Sequence, residues 1–396
     1  MAKYVVSRAA SACYYCFLTC SMIWLTILFL KASSDDNNNN VAVPEPELAP
    51  DARNASDIQS PPSAHASQLG IASHMYMVSL IQRQDRRQQM EYLRTIQGLT
   101  WTIIDAVSSD APPVTRILTW VAFHRTLITY HIKSGTASAI FRWPAEINAL
   151  SVLAEPLEDL GADLWIGTTP PASESHFEPT SVNLTCAVED YSIPAAIDNT
   201  PQWMVLSPAK IACWYSHVNT IRQFVQRSNP RVEDVAVILE DDIDMEKDIE
   251  HRLSQIWPAL AIGWDIVFLG HCWSNESSYP ALTKSAIHVS YGMNVSTRTE
   301  NSTTHLHPSF APKCTHAYAL SHSGALRILQ HLRYPPFAYS RALDQALAWL
   351  IRSGRLRSYS VVPSVVVQRK TVSSDILPGM GSAWRQGLQN GVFGSR

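Results

Sequence analysis

The segment 235–244 has the sequence VAVILEDDID, and it indicates both a type of strand and the place of a binding site. Five consecutive apolar residues are typical of a strand buried on both faces of an α/β sheet. Four carboxylates, Glu240, Asp241, Asp242 and Asp244, follow at its carboxyl end, where open α/β sheets bind their ligands. Crowded carboxylates need a neutralising positive charge. We therefore expect a divalent cation here, Mn²⁺ or Mg²⁺, shared with a substrate diphosphate.

An alternative use of the same acids is structural. The pattern predicts a helix over 245–257, with apolar Ile249, Leu253 and Ile256 at helical spacing. Asp and Glu at the start of a helix complement its dipole. Some of the four carboxylates could serve that end instead of binding a cation.

The residues upstream predict a parallel sheet. Residues 75–80 form a short apolar run, Met90, Leu93 and Ile96 recur at helical spacing, and 101–104 suits a second strand. A strand, a helix and a strand within about 30 residues form a βαβ unit. The unit lacks Gly-x-Gly-x-x-Gly, so a dinucleotide site is not indicated.

Further elements follow the acidic segment or lie just before it. Ser207-Pro208 predicts a helix start, and that helix carries Cys213 and His217 four residues apart. The pair is a weak metal signal, and a buried, hydrogen-bonded His is the alternative. Further strands are predicted over 264–270, 315–320 and 359–362, and a helix capped by Ser321. Asp344, early in a last helix, is by itself more typical of a solvated acid than of a catalytic one.

The N-terminus predicts a membrane anchor. Residues 9–30 contain no charge, and at about 1.5 Å per residue they could span the bilayer core. Basic residues before this run and acidic residues after it place the tail 1–8 in the cytosol and the body in the lumen. The alternative is a cleaved signal peptide, whose apolar region is usually shorter. Segment 31–73 is predicted to be a disordered stalk, 74–376 the folded domain with an insertion of unknown role at 110–202, and 377–396 a tail.

Composition and acceptor motifs agree with a lumenal body. The net charge of −3 argues against a nucleic-acid partner. N-glycosylation triplets occur at five positions, Asn54, Asn183, Asn275, Asn294 and Asn301. Of seven cysteines, four lie outside the anchor and suit two disulfides: Cys186, Cys213, Cys272 and Cys314. Their spacing does not fix the pairing. Cys272 and Cys314 are the favoured pair, because both flank predicted core strands.

The order of the motifs resembles glycosyltransferase family 25, which includes bacterial lipopolysaccharide sugar transferases and procollagen galactosyltransferases. Cys-x-x-Ser-His at 213–217 followed by Glu-Asp-Asp at 240–242 carries the resemblance most specifically. The insertion and Gly270-His271-Cys272-Trp273 look similar to fungal members. The other matching elements are Val78-Ser79-Leu80, Arg86-Arg87, Leu206-Ser207-Pro208, 264–270, Thr315-His316-Ala317-Tyr318, Asp344, 363–368 and Ser374-Asp375-Ile376.

The chain also departs from the family at two places. Ser79 stands where members often carry Asn. Ala209-Lys210-Ile211-Ala212 stands where members often carry Gly-Glu-x-Gly. Exchanging a carboxylate for a cation there bears on sugar and acceptor specificity.

The resemblance implies a GT-A-like, single Rossmann-like α/β domain with a mostly parallel central sheet behind the anchor. It implies an inverting, metal-dependent transfer of a sugar, with galactose one candidate, from a nucleoside-diphosphate sugar to a glycan or glycoprotein in the Golgi or ER. The implied roles are a metal at Asp242 assisted by Asp241 or Asp244, donor contacts from Ser79, Arg86, Arg87, Glu240 and Asp241, and catalytic Asp344 and His217. Arg86 and Arg87 could equally be a solvated helix start.

Two other function classes stay open. A lumenal carbohydrate-binding or scaffold protein could use the same fold without turnover, and the altered residues at 209–212 favour it. A metal-dependent phosphoesterase would normally bring several His at metal-ligand spacing, which the sequence lacks.

Overall fold

The computed structural model describes residues 68–133, 143, 184–189, 192–195, 197, 199–227, 229–282, 304–334, 337–371, 373–376 and 387–394. The predicted anchor, nearly all of the stalk, much of the insertion, and four acceptor sites lie outside these residues: Asn54, Asn183, Asn294 and Asn301. Among the described residues, no helix has the length and apolar character needed to cross a membrane.

The predicted βαβ unit is confirmed at the start of the body. Strand β1 (His74–Leu80) leads through helix α1 (Gln84–Gln97) to strand β2 (Thr102–Ala106), and the two strands pair in parallel. Gly98 caps the C-terminus of helix α1 with a φ of +62°, which is readily adopted without a Cβ. Its amide closes the last turn on carbonyls of that helix.

The next elements complete one side of the molecule. Helix α2 (Pro112–Lys133) comes from the predicted insertion, yet its Val114, Ile117 and Val121 lie in the main core beside helix α3 (Pro208–Val225). Ser207 caps α3 as predicted, since its side chain accepts a hydrogen bond from the Lys210 amide. Strand β3 (Val235–Glu240) then pairs in parallel with β1.

The acidic segment does not begin a helix. Residues Ile243–Met245 form a short strand, β4, and helix α4 starts only at Ile249 and ends at Ile256. Asp248 occupies the position before its first turn. The structural alternative for Glu240 to Asp244, a helix N-terminus, is therefore wrong because strand pairing takes up residues 243–245.

The remaining elements complete two sheets. In chain order they are β5 (Ile266–Phe268), β6 (His305–Pro308), β7 (Ala317–Ser321), α5 (His322–Arg333), α6 (Leu343–Arg352), β8 (Ser358–Val362) and β9 (Val366–Gln368). The main sheet has the order β2-β1-β3-β7-β5-β8-β6, and β4 pairs with β9 separately. From the pairings, β7 and β6 run against the other five strands. The fold is thus α/β with a mixed sheet in which one direction predominates.

Helices cover both faces of this sheet. Alternate residues of β3 point to opposite sides, so Ala236 and Ile238 join the core with α2, α3, α5 and α6. Val237 and Leu239 join the core under α1 and α4. This two-sided burial explains why the strand has no polar residue before Glu240.

The C-terminal residues 387–394 pack against the body. Leu388 is buried, and the Val392 amide donates to the Met245 carbonyl at 3.2 Å. The described part of the predicted tail is therefore an ordered component of the domain. It lies against β4.

Candidate functional site

A cleft of about 220 Å³ opens where β1, β2 and β3 end. The strand order β2-β1-β3 means that the chain leaves β1 to one side and later returns on the other. Such a switch point between parallel strands is where α/β sheets place their ligands. The lining comes from the ends of all three strands, from α3 and from residues near 368 and 375, and includes Ser79, Arg86, Ser108, Cys213, His217, Glu240, Asp241, Asp242, Gln368 and Asp375.

Asp241 anchors the wall formed by β1 and α1. Its two carboxylate oxygens accept hydrogen bonds from Ser79 Oγ at 2.7 Å and from Arg86 Nη1 at 2.9 Å. Burial raises the pKa of Asp241, although both of these partners act in the opposite direction. Asp241 thus accepts a short hydrogen bond at each oxygen, whereas the contacts of the Asp242 carboxylate are all 3.1 Å or longer, which makes Asp241 the poorer metal ligand of the two.

Asp242 faces the cleft with fewer strong partners. Gln368 Nε2 donates to its oxygens at 3.1 and 3.3 Å, and Arg86 Nη1 lies 3.2 Å from Oδ2. Burial, followed by the charge of Glu240, raises the pKa of Asp242 to about 7. This carboxylate therefore lies where the protein does not fully compensate a negative charge.

Asp241, Asp242 and Asp375 form what we call the acidic wall of the cleft, and Arg86 is the cation at its centre. Its side chain is buried and pairs with Asp241, with Asp242 and, at 3.3 Å, with Asp375. Arg87, in contrast, does not line the cleft. Its guanidinium pairs with Asp105 at 2.6 Å and donates to Ser79. Of the two predicted arginines, the structure thus brings Arg86 to the cleft.

Glu240 belongs to a second group on the α3 side of the cleft. Its Oε1 accepts a hydrogen bond from Thr315 Oγ1 at 2.6 Å and lies 3.5 Å from His217 Nε2. Burial would raise the pKa of Glu240, but the hydrogen bonds and positive charge of its neighbours, His217 first, bring it below its usual value. His217 is buried, and its Nδ1 lies 2.8 Å from the Tyr318 hydroxyl.

Cys213 completes this second group. It lies one turn before His217 on α3, and candidate ligand atoms of Cys213, His217 and Glu240 all lie within 4.8 Å of one another. Burial, and then the charges of Glu240 and Asp344, raise the pKa of the Cys213 thiol well above its usual range. The three side chains could hold a metal ion.

Besides Arg87, two predicted site residues lie outside the cleft lining. Asp244 is buried on β4, where its carboxylate accepts hydrogen bonds from the backbone amides of Met245, Val392 and Phe393. It binds the C-terminal segment, so the assisting metal role predicted for Asp244 is not supported. Asp344 accepts hydrogen bonds from the Cys314 and Gln345 amides at 3.3 and 2.7 Å.

Lys210 does not bring a cation into the cleft. Its ammonium group donates to the carbonyls of Gln202, Trp203 and Val205 and lies 3.8 Å from Cys186 Sγ. Burial lowers its pKa. The departure at 209–212 therefore secures the chain before α3, while Ala209 and Ala212 line the cleft.

The cysteines follow the sequence prediction in part. Cys272 and Cys314 form a disulfide, as favoured. Cys186 and Cys213 are free, so the predicted second bridge is wrong. Cys186 instead lies beside Lys210, and Cys213 lies beside His217.

Of the five predicted glycosylation sites, Asn275 lies among the described residues, and it is exposed.

Four further residues, two in the cleft lining and two behind it, contact the predicted site residues and had no role in the sequence prediction. Gln368 and Asp375 reach Asp242 and Arg86 from positions more than 120 residues along the chain. Thr315 and Tyr318 hold Glu240 and His217. All four lie in stretches that carry the family resemblance, so the resemblance was the sequence signal that could have identified them.

No family model matches the chain, and no curated protein shows significant similarity to it.

Proposed function

We propose that this protein is a glycosyltransferase that moves a sugar from a nucleoside-diphosphate sugar to a glycan or glycoprotein acceptor in the secretory pathway. The support is the position of Asp242 at a switch-point cleft, among three carboxylates and one buried arginine. A diphosphate leaving group needs its charge neutralised. An acidic wall meets that need only together with a cation.

Asp242 fits a divalent cation. Its pKa of about 7 reflects burial and the neighbouring charge of Glu240, so a positive ion beside it would relieve an existing electrostatic cost. Carboxylate oxygens are hard ligands that suit Mn²⁺ or Mg²⁺. The ion, when bound, would supply charge neutralisation for the diphosphate.

The neighbouring residues would orient this wall. Arg86 bridges Asp241 and Asp242, and Ser79 fixes the second oxygen of Asp241. Gln368 donates to both oxygens of Asp242. With these contacts in place, little reorganisation is needed when a charged ligand enters.

The general base for an inverting reaction is proposed to be Asp344 rather than His217. His217 has a partner at each ring nitrogen, Tyr318 and Glu240. Asp344 is half-exposed, and its charge acts on Cys213 in the cleft wall. Each carboxylate oxygen keeps a second lone pair beside its backbone partner, so Asp344 could take the proton of an acceptor hydroxyl that binds beyond the cleft lining, next to Cys213.

A lumenal carbohydrate-binding or scaffold protein is the alternative. Its support in the sequence was the altered segment 209–212, and Lys210 is occupied by backbone carbonyls outside the cleft. Lys210 therefore adds no positive charge to the cleft, which weakens this argument for the alternative, while the missing carboxylate at 209–212 still favours it.

A donor screen tests the proposal. The full chain in detergent is incubated with Mn²⁺ and a panel of nucleoside-diphosphate sugars, and release of nucleoside diphosphate is measured with and without glycan acceptors. We expect release from at least one donor. Glycan binding without release from any donor would instead establish the carbohydrate-binding alternative.

A further inference from the structure

The α3 side of the cleft contains donor atoms unlike those of the acidic wall. Cys213, His217 and Glu240 offer sulfur, nitrogen and oxygen within 4.8 Å of one another. Cys213 and His217 are four residues apart on α3, so both side chains face the same way. Glu240 meets them from the end of β3.

The spacing already approaches that of a bound ion. Nitrogen, oxygen and sulfur ligands around tetrahedral zinc lie about 3.3–3.7 Å apart, given bond lengths of about 2.0–2.3 Å. His217 Nε2 and Glu240 Oε1 are 3.5 Å apart. Cys213 Sγ lies within 4.8 Å of a ligand atom of each, so it would have to move closer by about 1 Å to enter the same shell.

Outer contacts orient two of the three ligands. The Tyr318 hydroxyl lies 2.8 Å from His217 Nδ1, leaving Nε2 directed toward Glu240. Thr315 Oγ1 donates to Glu240 at 2.6 Å. Metal-binding histidines and carboxylates are commonly held by such partners, which fix the ring orientation and raise affinity.

We propose that Cys213, His217 and Glu240 form a three-ligand site for Zn²⁺ or a similar borderline transition metal, separate from the cation position at Asp242. The site opens toward the cleft, since all three residues line it. Three protein ligands and a fourth position open to water or substrate are the arrangement of zinc sites that are not purely structural. Thiolate and imidazole favour zinc over Mn²⁺ and Mg²⁺, which prefer oxygen.

Binding requires the thiol to lose its proton. Ligation forms a sulfur–metal bond, and the proton leaves to solvent. Burial, and then the nearby carboxylates of Glu240 and Asp344, disfavour a free thiolate, whereas a bound divalent ion would stabilise it.

Cobalt substitution tests the site directly. The full chain is stripped with chelator in detergent, loaded with one equivalent of Co²⁺, and its absorption spectrum is recorded. We expect a sulfur-to-cobalt charge-transfer band and tetrahedral visible bands. Cys213→Ser should abolish the charge-transfer band, while the matched variant Cys186→Ser, which alters the other free cysteine of the described residues, should retain it.

Two further measurements keep the result independent of folding defects in one variant. Tyr318→Phe should lower Zn²⁺ affinity by about 10-fold to 100-fold through the loss of an outer contact. Excess Mn²⁺ should not displace the cobalt. A wild-type spectrum without a thiolate band, or a band unchanged in Cys213→Ser, would overturn the site.

The outcome is separable from that of the proposed function. Cobalt spectra require no donor sugar and no turnover. An enzyme that releases nucleoside diphosphate but gives no thiolate band retains the transfer proposal and loses this site. A thiolate band without release of nucleoside diphosphate retains this site and loses the transfer proposal.

Discussion

At the scale of single residues, Asp242 has the most informative energetics. Burial raises its pKa to about 7, well above its value in an unfolded chain of about 3.9. A carboxyl with a raised folded pKa destabilises the fold once it ionises, and the cost grows as pH rises from about 4 to about 7. Above that range the cost is constant.

Asp242→Asn should therefore stabilise the metal-free protein. We expect little effect near pH 3, a gain that grows through pH 4 to 7, and at least about 1 kcal/mol at pH 8, since one pKa unit corresponds to about 1.4 kcal/mol. Chemical denaturation in chelator across this pH range measures it. Asp248→Asn, at an exposed position, is the control. A loss of stability at pH 8 would show that Asp242 is a structural residue.

Part of the candidate site could be predicted from the sequence, and part could not. Glu240 to Asp242 were found because they adjoin one another after an apolar strand. Asp244 was misassigned because the chain forms β4 directly after Asp242, which turns its side chain to backbone amides of the C-terminal segment. Gln368 and Asp375 could not be found by local pattern, since tertiary folding alone brings them to Asp242 and Arg86.

At the scale of elements, the C-terminal segment depends on buried carboxylates of the β4 region. Glu246 accepts hydrogen bonds from the Gln389 and Asn390 amides at 2.7 Å each. Glu246→Gln replaces one acceptor by a donor and leaves a buried amide unpaired, which costs about 1–3 kcal/mol. We expect faster hydrogen exchange over 388–393, measured by mass spectrometry.

Glu233 is exposed, so Glu233→Gln is the control for Glu246→Gln. Glu233→Gln should leave exchange over 388–393 unchanged. Equal exchange in wild type and Glu246→Gln would mean that the two amide contacts do not hold the segment.

At the scale of elements, the disulfide between Cys272 and Cys314 is the second feature expected to stabilise the fold. Cys272 and Cys314 close a loop, with a separation of 42 residues. By lowering the entropy of the unfolded chain, a loop of this length adds at most about 4 kcal/mol to the free energy of unfolding. Reductant should lower the melting temperature of wild type and of Cys186→Ala, but not that of the double variant Cys272→Ala, Cys314→Ala. A wild-type melting temperature indifferent to reductant would contradict a structural role.

Element prediction succeeded where pattern and burial coincide. Strands β1, β3 and β7 and the caps at Ser207 and Ser321 follow the sequence, because continuous apolar runs and side-chain caps are local signals. The start of α4 was placed too early, since helical spacing in 245–257 cannot reveal that β9 pairs with residues 243–245. Helix α2 was assigned to an insertion, although its apolar face belongs to the main core.

At the scale of the whole molecule, the predicted lumenal orientation has an accessible marker. Asn275 is exposed and heads an Asn-Glu-Ser triplet, so a lumenal body should carry a glycan there. Glycosidase should lower the mass of the native protein, and both Asn275→Gln and Ser277→Ala should lack one glycan. Identical mass shifts in wild type and both variants would contradict glycosylation at this position.

The central claim is that the acidic wall of the cleft handles a nucleoside-diphosphate sugar together with a cation. The most direct measurement is donor turnover by wild type and Asp242→Asn, each with Mn²⁺ and with chelator. We expect turnover in wild type only with metal, and a loss on the order of 10²-fold or more in the variant, as for other preorganised electrostatic groups. Full wild-type turnover in chelator, together with undiminished turnover in Asp242→Asn, would contradict the claim.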